Sequence, residues 1–411
     1  MTSTKKIAVI GGGAAGIMAA GTALAYGASV TVYEHKDKPL RKLRITGKGR
    51  CNVTNNCTTE EFIANVIHNP RFMYAPLSHF SPEDTITFFE NLGVPLKTER
   101  GRRVFPVSDK AGDIAKALLS YAGGANFRHE HVRALWIENG KLMGVIAKEK
   151  EPFDAVILAT GGRSYPLTGS DGSGYIIAEK AGHTVTPLSP SLVPITSKSP
   201  YCPRMQGLSL KNVALRIVKT GGGRILYEDF GEMMFTHFGI TGPMILSASA
   251  HLQNEDISSL SAEIDLKPAL DEKTLDARLL SDFSKFANRH FENALSSLLP
   301  AKMIPVMVDY TGIPGDKKVH DVSREERHRL MNALKHFTLP LQSYRPIDEA
   351  IITAGGVSAA EIDPKTMMSR KLPRLFLAGE VIDLDAYTGG YNLQIAFSTG
   401  YLAGKNAAET E

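Results

Sequence analysis

The chain has 411 residues, 43% hydrophobic and 22% charged, enough for a large buried core and two or three domains. Its formal net charge of +4 has no lysine- or arginine-rich run behind it, which argues against a nucleic-acid partner. Cys51, Cys57 and Cys202 are its only cysteines, too few for a disulfide framework and in keeping with a reducing cytoplasm.

Residues 7–10 form a short apolar run without helical period, as in a parallel strand buried on both faces. Gly11, Gly13 and Gly16 follow as G-x-G-x-x-G: a tight turn, close backbone approach to a pyrophosphate, and close helix–strand packing. Residues 14–26 read as a helix whose first amides, at Ala14 and Ala15, face the phosphates, with Gly27 at its C-terminal end. Residues 29–33 form a second strand that delivers Glu34, where a carboxylate accepts from the ribose hydroxyls and repels a 2′-phosphate. The unit predicts a bound adenine dinucleotide, FAD or NAD before NADP. Residues 7–33 are uncharged and follow Lys5 and Lys6, so they mimic a secretory signal, but the strand–turn–helix order argues against one. No other stretch approaches the apolar length of a membrane span, and a soluble protein is expected.

Residues 41–52 are basic, interrupted by glycine and without period, and read as a loop crossing a polyanion. Arg41, Lys42, Thr46, Gly47 and Arg50 are its candidate cofactor contacts. Cys51 and Cys57 superficially resemble the C-x4-C pair of flavin disulfide reductases, but five residues intervene. Helical spacing marks 81–92, opened by Ser81-Pro82, and 110–122. Arg100, Arg102 and Arg103 are the densest basic cluster, either a solvated loop or contacts to an anion. Residues 132–137 and 142–147 flank Asn139-Gly140, a hairpin signal, and a buried strand then runs into Thr160-Gly161-Gly162. A hairpin that interrupts a parallel sheet in this way points to FAD over NAD. The glycines of 169–174 lack a preceding strand, so a separate NAD domain is not expected.

Alternating segments make 187–267 a small β-rich domain, and 271–339 is mostly helical, with Leu279, Phe283, Phe286, Phe291 and Leu295 on a core face. These read as insertions, giving domains 1–186, 187–267, 268–340 and 341–411, the first and last together forming the dinucleotide-binding domain. Residues 373–380 are a strand ending in Gly379-Glu380, followed by Asp383, by Gly389-Gly390-Tyr391-Asn392-Leu393-Gln394 and by a helix to about 408.

These residues resemble a family of bacterial FAD-binding flavoproteins that includes aminoacetone oxidase and the bile-acid 4,6-reductase type. The resemblance spans almost the whole chain and is carried by the segments 11–16, 46–52, 101–108, 160–166, 234–243, 353–357 and 378–394. It implies an α/β fold: a discontinuous glutathione-reductase-type, Rossmann-like FAD domain with inserted β-barrel-like and small helical domains. FAD is then expected noncovalently between the first βαβ unit and the segment 379–394. Glu380 or Asp383 would meet the ribityl chain, Gly390, Asn392, Leu393 and Gln394 the flavin, and Val132 would join the cofactor contacts.

The expected activity is an FAD-dependent oxidoreduction of a small or hydrophobic organic substrate, with NAD(P)H as a possible transient donor. An RNA-modifying flavoprotein and a non-enzymatic flavin sensor remain alternatives, and oligomeric state stays open. His237 is the leading candidate for proton transfer. Tyr387 and Tyr391 border the flavin segment, and Arg103 is placed to receive an anionic group. No local spacing defines a metal site.

Overall fold

The computed structural model describes residues 4–221, 223–253 and 255–410. The chain forms two units, one running to Ser191 and resuming at Pro346, the other spanning Leu192–Arg345.

In the first unit β1 (Lys6–Ile10) lies at the centre of a five-stranded sheet, between Ala155–Leu158 and β2 (Ser29–Tyr33). Leu375–Leu377 and Asn126–Arg128 form the edges, and every pairing is parallel. Ile7, Ala8 and Val9 are fully buried, as a central strand covered on both faces requires. The expected hairpin pairs Ala134–Glu138 with Lys141–Ile146. Asn139 (φ 49°) and Gly140 (φ 74°) give its turn the two left-handed residues that match strand twist. Ser81 caps Pro82–Asn91 in a capping box, as its sequence announces.

Between the strands, α1 (Ala14–Ala25) packs on the C-terminal helix Tyr391–Glu409 with almost no side chain at the contact. A Cβ at Gly400 would stand 2.4 Å from the Ala15 carbonyl oxygen, and one at Gly404 would stand 2.3 Å from that of Ala19. Only hydrogen fits there, so these glycines set the helix separation.

The second unit is a closed six-stranded barrel in the order Ile195–Ser197, Gly239–Thr241, Ile225–Phe235, Ser209–Lys219, Leu260–Asp265 and Phe337–Tyr344. Helices Glu272–Lys285, Ile304–Thr311 and Arg324–Lys335 belong to the same unit. Leu279, Phe291 and Leu295 are buried as expected, whereas Phe286 lies under the Arg289 guanidinium at 4.6 Å.

Two readings change. The helical pattern expected to reach 339 stops at Lys335, because Phe337, Leu339 and Leu341 alternate inward on a strand that closes the barrel. The boundary placed at 340/341 falls inside that strand. The loop read at 41–52 contains a short helix, Arg41–Ile45, and a 3-10 turn, Thr46–Gly49, both too short to show a period. Among the described residues no helix is long and apolar enough to cross a membrane.

Candidate functional site

The glycine turn after β1 is made by contacts that exclude a side chain. A Cβ at Gly11 (φ 105°) would lie 2.4 Å from the Ala159 carbonyl oxygen, and one at Gly16 only 1.9 Å from that of Gly11. Gly13 is different: a Cβ there would meet nothing within 4 Å. It caps α1, whose first turn holds no acidic residue and receives no side-chain cap. The amides at Ala14 and Ala15 belong to the first turn, where a helix leaves its N–H groups without intrahelical partners and its dipole favours negative charge, as a pyrophosphate requires. Glu34 accepts from the Gly12 amide at 2.9 Å and from the Lys36 amide at 2.8 Å, so its carboxylate is held across the mouth of the turn.

The C-terminal elements meet this turn directly. A Cβ at Gly379 (φ 75°) would lie 2.7 Å from Ala15 Cβ, which brings the Gly379-Glu380 pair against the start of α1. Glu380 accepts from Lys42 Nζ at 2.8 Å, from the Ser164 hydroxyl at 3.0 Å and from the Thr353 amide at 2.9 Å. Thr353 Oγ1 in turn accepts the amides of Arg163 and Ser164. Glu380 and Lys42 are thus committed to each other, whereas the Asp383 carboxylate carries no hydrogen bond among the described residues.

The N terminus of the C-terminal helix repeats the design of α1. Gly390 (φ 103°) is its N-cap, with no side-chain cap and no acid in the first turn. A Cβ at Gly390 would stand 2.4 Å from the Thr54 carbonyl. Of the side chains expected at the flavin, Asn392 bonds the backbone of Ala386 through both its amide atoms. Gln394 is buried among Thr54, Phe80 and Ser398. Their contribution is to shape the site, while Leu393 is half-buried in the first turn, where a helix leaves its leading amides without intrahelical partners.

The donor set fits FAD: two uncapped helix N termini, a carboxylate at each end, and a buried Asn52 Oδ1 and Thr160 Oγ1 with no partner among the described residues. Gly161 (φ 75°) and Gly162 pack against Ser170 and Thr353 and bring that loop to Glu380. Thr46 bonds its own loop through Leu43, Gly47 (φ 56°) makes the turn beneath it, and Val132 is buried and apolar.

Several basic residues are engaged elsewhere. Arg41 pairs with Asp37 at the surface. Arg50 is clamped by Glu99 and Asp109, each at 2.6 Å, and stacks on Phe105, and those two carboxylates push its pKa up further. Arg103 is exposed and bonds the Arg100 carbonyl. His237 is exposed on the second unit, its ring edge on Phe238. Tyr387 is half-buried, and burial, then Asp385, push its hydroxyl pKa up. Cys51 and Cys57 are free, and burial pushes their thiols up to about 12 and about 11, opposite to the lowered value of a redox thiol.

One cluster escaped the sequence reading. His68 Nδ1 lies 2.5 Å from Asp385 Oδ1, and Ser191 donates to the other carboxylate oxygen at 2.7 Å. The bond to Asp385 outweighs burial and raises the His68 pKa. His68 stands in an irregular stretch with no motif around it; only the aspartate near the glycine-rich segment was a signal.

A family model described as the HI0933-like protein Rossmann domain matches residues 5–406. The chain is 32% identical over 413 residues to a 3-dehydro-bile acid delta(4,6)-reductase of Clostridium scindens, covering 98% of this chain and 99% of that one. It is 30% identical over 405 residues to a ribosomal RNA dihydrouridine synthase of Haemophilus influenzae, with 96% of each chain covered. Among solved structures, 3-ketosteroid-delta4-(5alpha)-dehydrogenase from Rhodococcus jostii matches with a TM-score of 0.54 at 15% identity, covering 99% and 98% of the two chains. A flavocytochrome c3 fumarate reductase matches at 0.52 and 17% identity, over 99% and 78%. At such identities the structures speak for the fold alone. The family model and the end-to-end relatives go further: the chain belongs to the HI0933-like Rossmann family, which includes FAD-dependent oxidoreductases.

Proposed function

We propose that this FAD-dependent oxidoreductase saturates a carbon–carbon double bond conjugated to a carbonyl in a small hydrophobic ring substrate, with NAD(P)H as transient electron donor. One observation carries the reading: full-length relatives with unlike substrates, a bile-acid delta(4,6)-reductase and a dihydrouridine synthase, are named for the same bond change. Bound FAD would supply the hydride, and such a double bond is polarised by its carbonyl to accept one.

The chain's own residues divide the remaining work. Gly13, Ala14 and Ala15 bind the pyrophosphate through backbone, and Glu34 orients the ribose. Asp383 orients the ribityl chain. The uncapped helix start at Gly390 directs amides and a positive dipole end at the site, which favours negative charge there.

The test is anaerobic mixing with NADH and, separately, NADPH, followed by 4-androstene-3,17-dione as a conjugated ketone. Bleaching of the flavin absorbance by a nicotinamide and its return on adding the ketone are expected. A flavin that no conjugated carbonyl reoxidises would end the proposal. A second reading, a uracil base in RNA as substrate, is favoured by the dihydrouridine synthase relatives. It predicts reoxidation by ribosomal RNA fragments, steeply weakened by salt, while the ketone has no effect. The net charge of +4 over 411 residues favours the small molecule.

A further inference from the structure

Residues 65–69 run antiparallel along 383–387. The Ile67 amide donates to the Asp385 carbonyl at 2.8 Å, the Tyr387 amide to that of Asn65 at 3.0 Å, and the Asn69 side chain to that of Asp383 at 2.7 Å. Asn392, in the first turn of the C-terminal helix, clamps Ala386 of the same segment. His68 is therefore fixed to the stretch that leads into the helix N terminus assigned above to the flavin.

The imidazole is built to carry a proton. Asp385 is almost wholly buried, with 1% of its side chain exposed, whereas 34% of the His68 side chain is open. Ser191 satisfies the second oxygen of Asp385 at 2.7 Å, so the carboxylate is held in one orientation. The carboxylate takes Nδ1, and Nε2 carries no hydrogen bond among the described residues, the arrangement that lets a histidine exchange protons. The charged groups that act on the ring are Asp385 and Asp383, and both carboxylates favour imidazolium. Tyr387, two residues on from Asp385, is raised by burial and then by that carboxylate, and stays neutral.

We propose that His68 is the proton donor of the saturation, with Asp385 as its positioning residue. The inference rests on the reductase reading. When the carbon beta to the carbonyl gains its hydride from the reductant, the double-bond pair moves toward the carbonyl and the alpha carbon must gain a proton. His68 Nε2–H breaks, the alpha C–H forms, and the neutral imidazole regains its proton from solvent through its exposed edge. No second oxidant or reductant enters.

The experiment compares wild-type, His68→Gln and Asp385→Asn holoenzyme, each first bleached anaerobically. His68→Gln is expected to keep its flavin content and to lose at least about 100-fold in reoxidation by 4-androstene-3,17-dione, the scale of general-acid catalysis. 1-Nitrocyclohexene accepts hydride as a stable nitronate without needing a proton in that step, so its reoxidation rate should not change. In wild type the ketone rate falls as pH rises through the His68 pKa, and Asp385→Asn moves that fall to lower pH. Histidine NMR of the holoenzyme supplies a readout independent of turnover: the His68 titration lies above the ordinary value and drops in Asp385→Asn. A ketone rate unchanged in His68→Gln, or ketone and nitroalkene rates lost equally, overturns the proposal while leaving the reductase reading in place. Wild-type enzyme that the ketone does not reoxidise overturns both.

Discussion

Lys42 Nζ lies 2.8 Å from Glu380 Oε2 and joins two points 338 residues apart in the chain. Both side chains are largely buried, with 21% and 16% exposed, and Ser164 and Thr353 complete the coordination of the carboxylate. Removing one member of such a pair costs more than the pair contributes, because the other charge is left desolvated. Glu380→Ala is expected to lose about 3 kcal/mol of stability, and Glu380→Gln, which keeps an acceptor for Ser164 and Thr353, distinctly less. Thermal unfolding of the two variants beside wild type checks this; equal midpoints for the two variants would mean that the bonds from Ser164 and Thr353 contribute little and that the broken ion pair accounts for the whole loss.

Glu34 has a different task. It holds the Gly12 amide and so shapes the glycine turn even before any ribose is present. Glu34→Ala should therefore lower the flavin-to-protein ratio after gel filtration, with added FAD restoring part of it, whereas Glu34→Gln, which can still accept from Gly12, should retain more. Full flavin content in both variants would rule out Glu34 as a ribose ligand.

The dinucleotide half of the site was legible because its signals are local. Gly11, Gly13 and Gly16 act through backbone conformation and close approach, and Glu34 is placed by the strand it ends. The partners of charged side chains were not legible. Arg50 looked free for a polyanion because Glu99 and Asp109, which clamp it, are brought by other elements. His68 and Asp385 are 317 residues apart, and nothing in either neighbourhood announces the other. The barrel strand Phe337–Tyr344 was hidden by the helix that ends two residues before it, so the start of its inward alternation, Phe337 and Leu339, was read as a continuation of the helical pattern.

The contact of α1 with the C-terminal helix offers a purely steric test. At Gly404 a methyl group would meet the Ala19 carbonyl oxygen at 2.3 Å, and backbone on both sides leaves little room to yield. Ala is the better helix former, so intrinsic propensity favours Gly404→Ala by up to about 1 kcal/mol. Overpacking opposes it by about 1–3 kcal/mol, and a net loss of stability is expected in denaturant unfolding. Gly27→Ala is the contrasting case: space is open there, and the cost comes only from its φ of 86°.

Glu361 gives the fold an acid-sensitive lock. Burial pushes its pKa up, but the Lys371 ammonium and the amide and hydroxyl of Thr184 outweigh burial and hold it down to about 2. A carboxyl whose folded value is depressed stabilises the protein above its unfolded value, and that contribution disappears as pH falls through the folded one. The window here runs from about 4.5 down to about 2. The neighbouring His183, buried with its Nδ1 3.1 Å from Glu361, has its own pKa lowered by burial, so protonation resists folding and adds an acid loss that begins higher. Glu361→Gln should therefore unfold at lower temperature than wild type near neutral pH, and the gap between the two should narrow as pH falls through that window. A gap that stays constant down to pH 2 would show that the hydrogen bonds of Glu361, and not its charge, hold Thr184 and Lys371 in place.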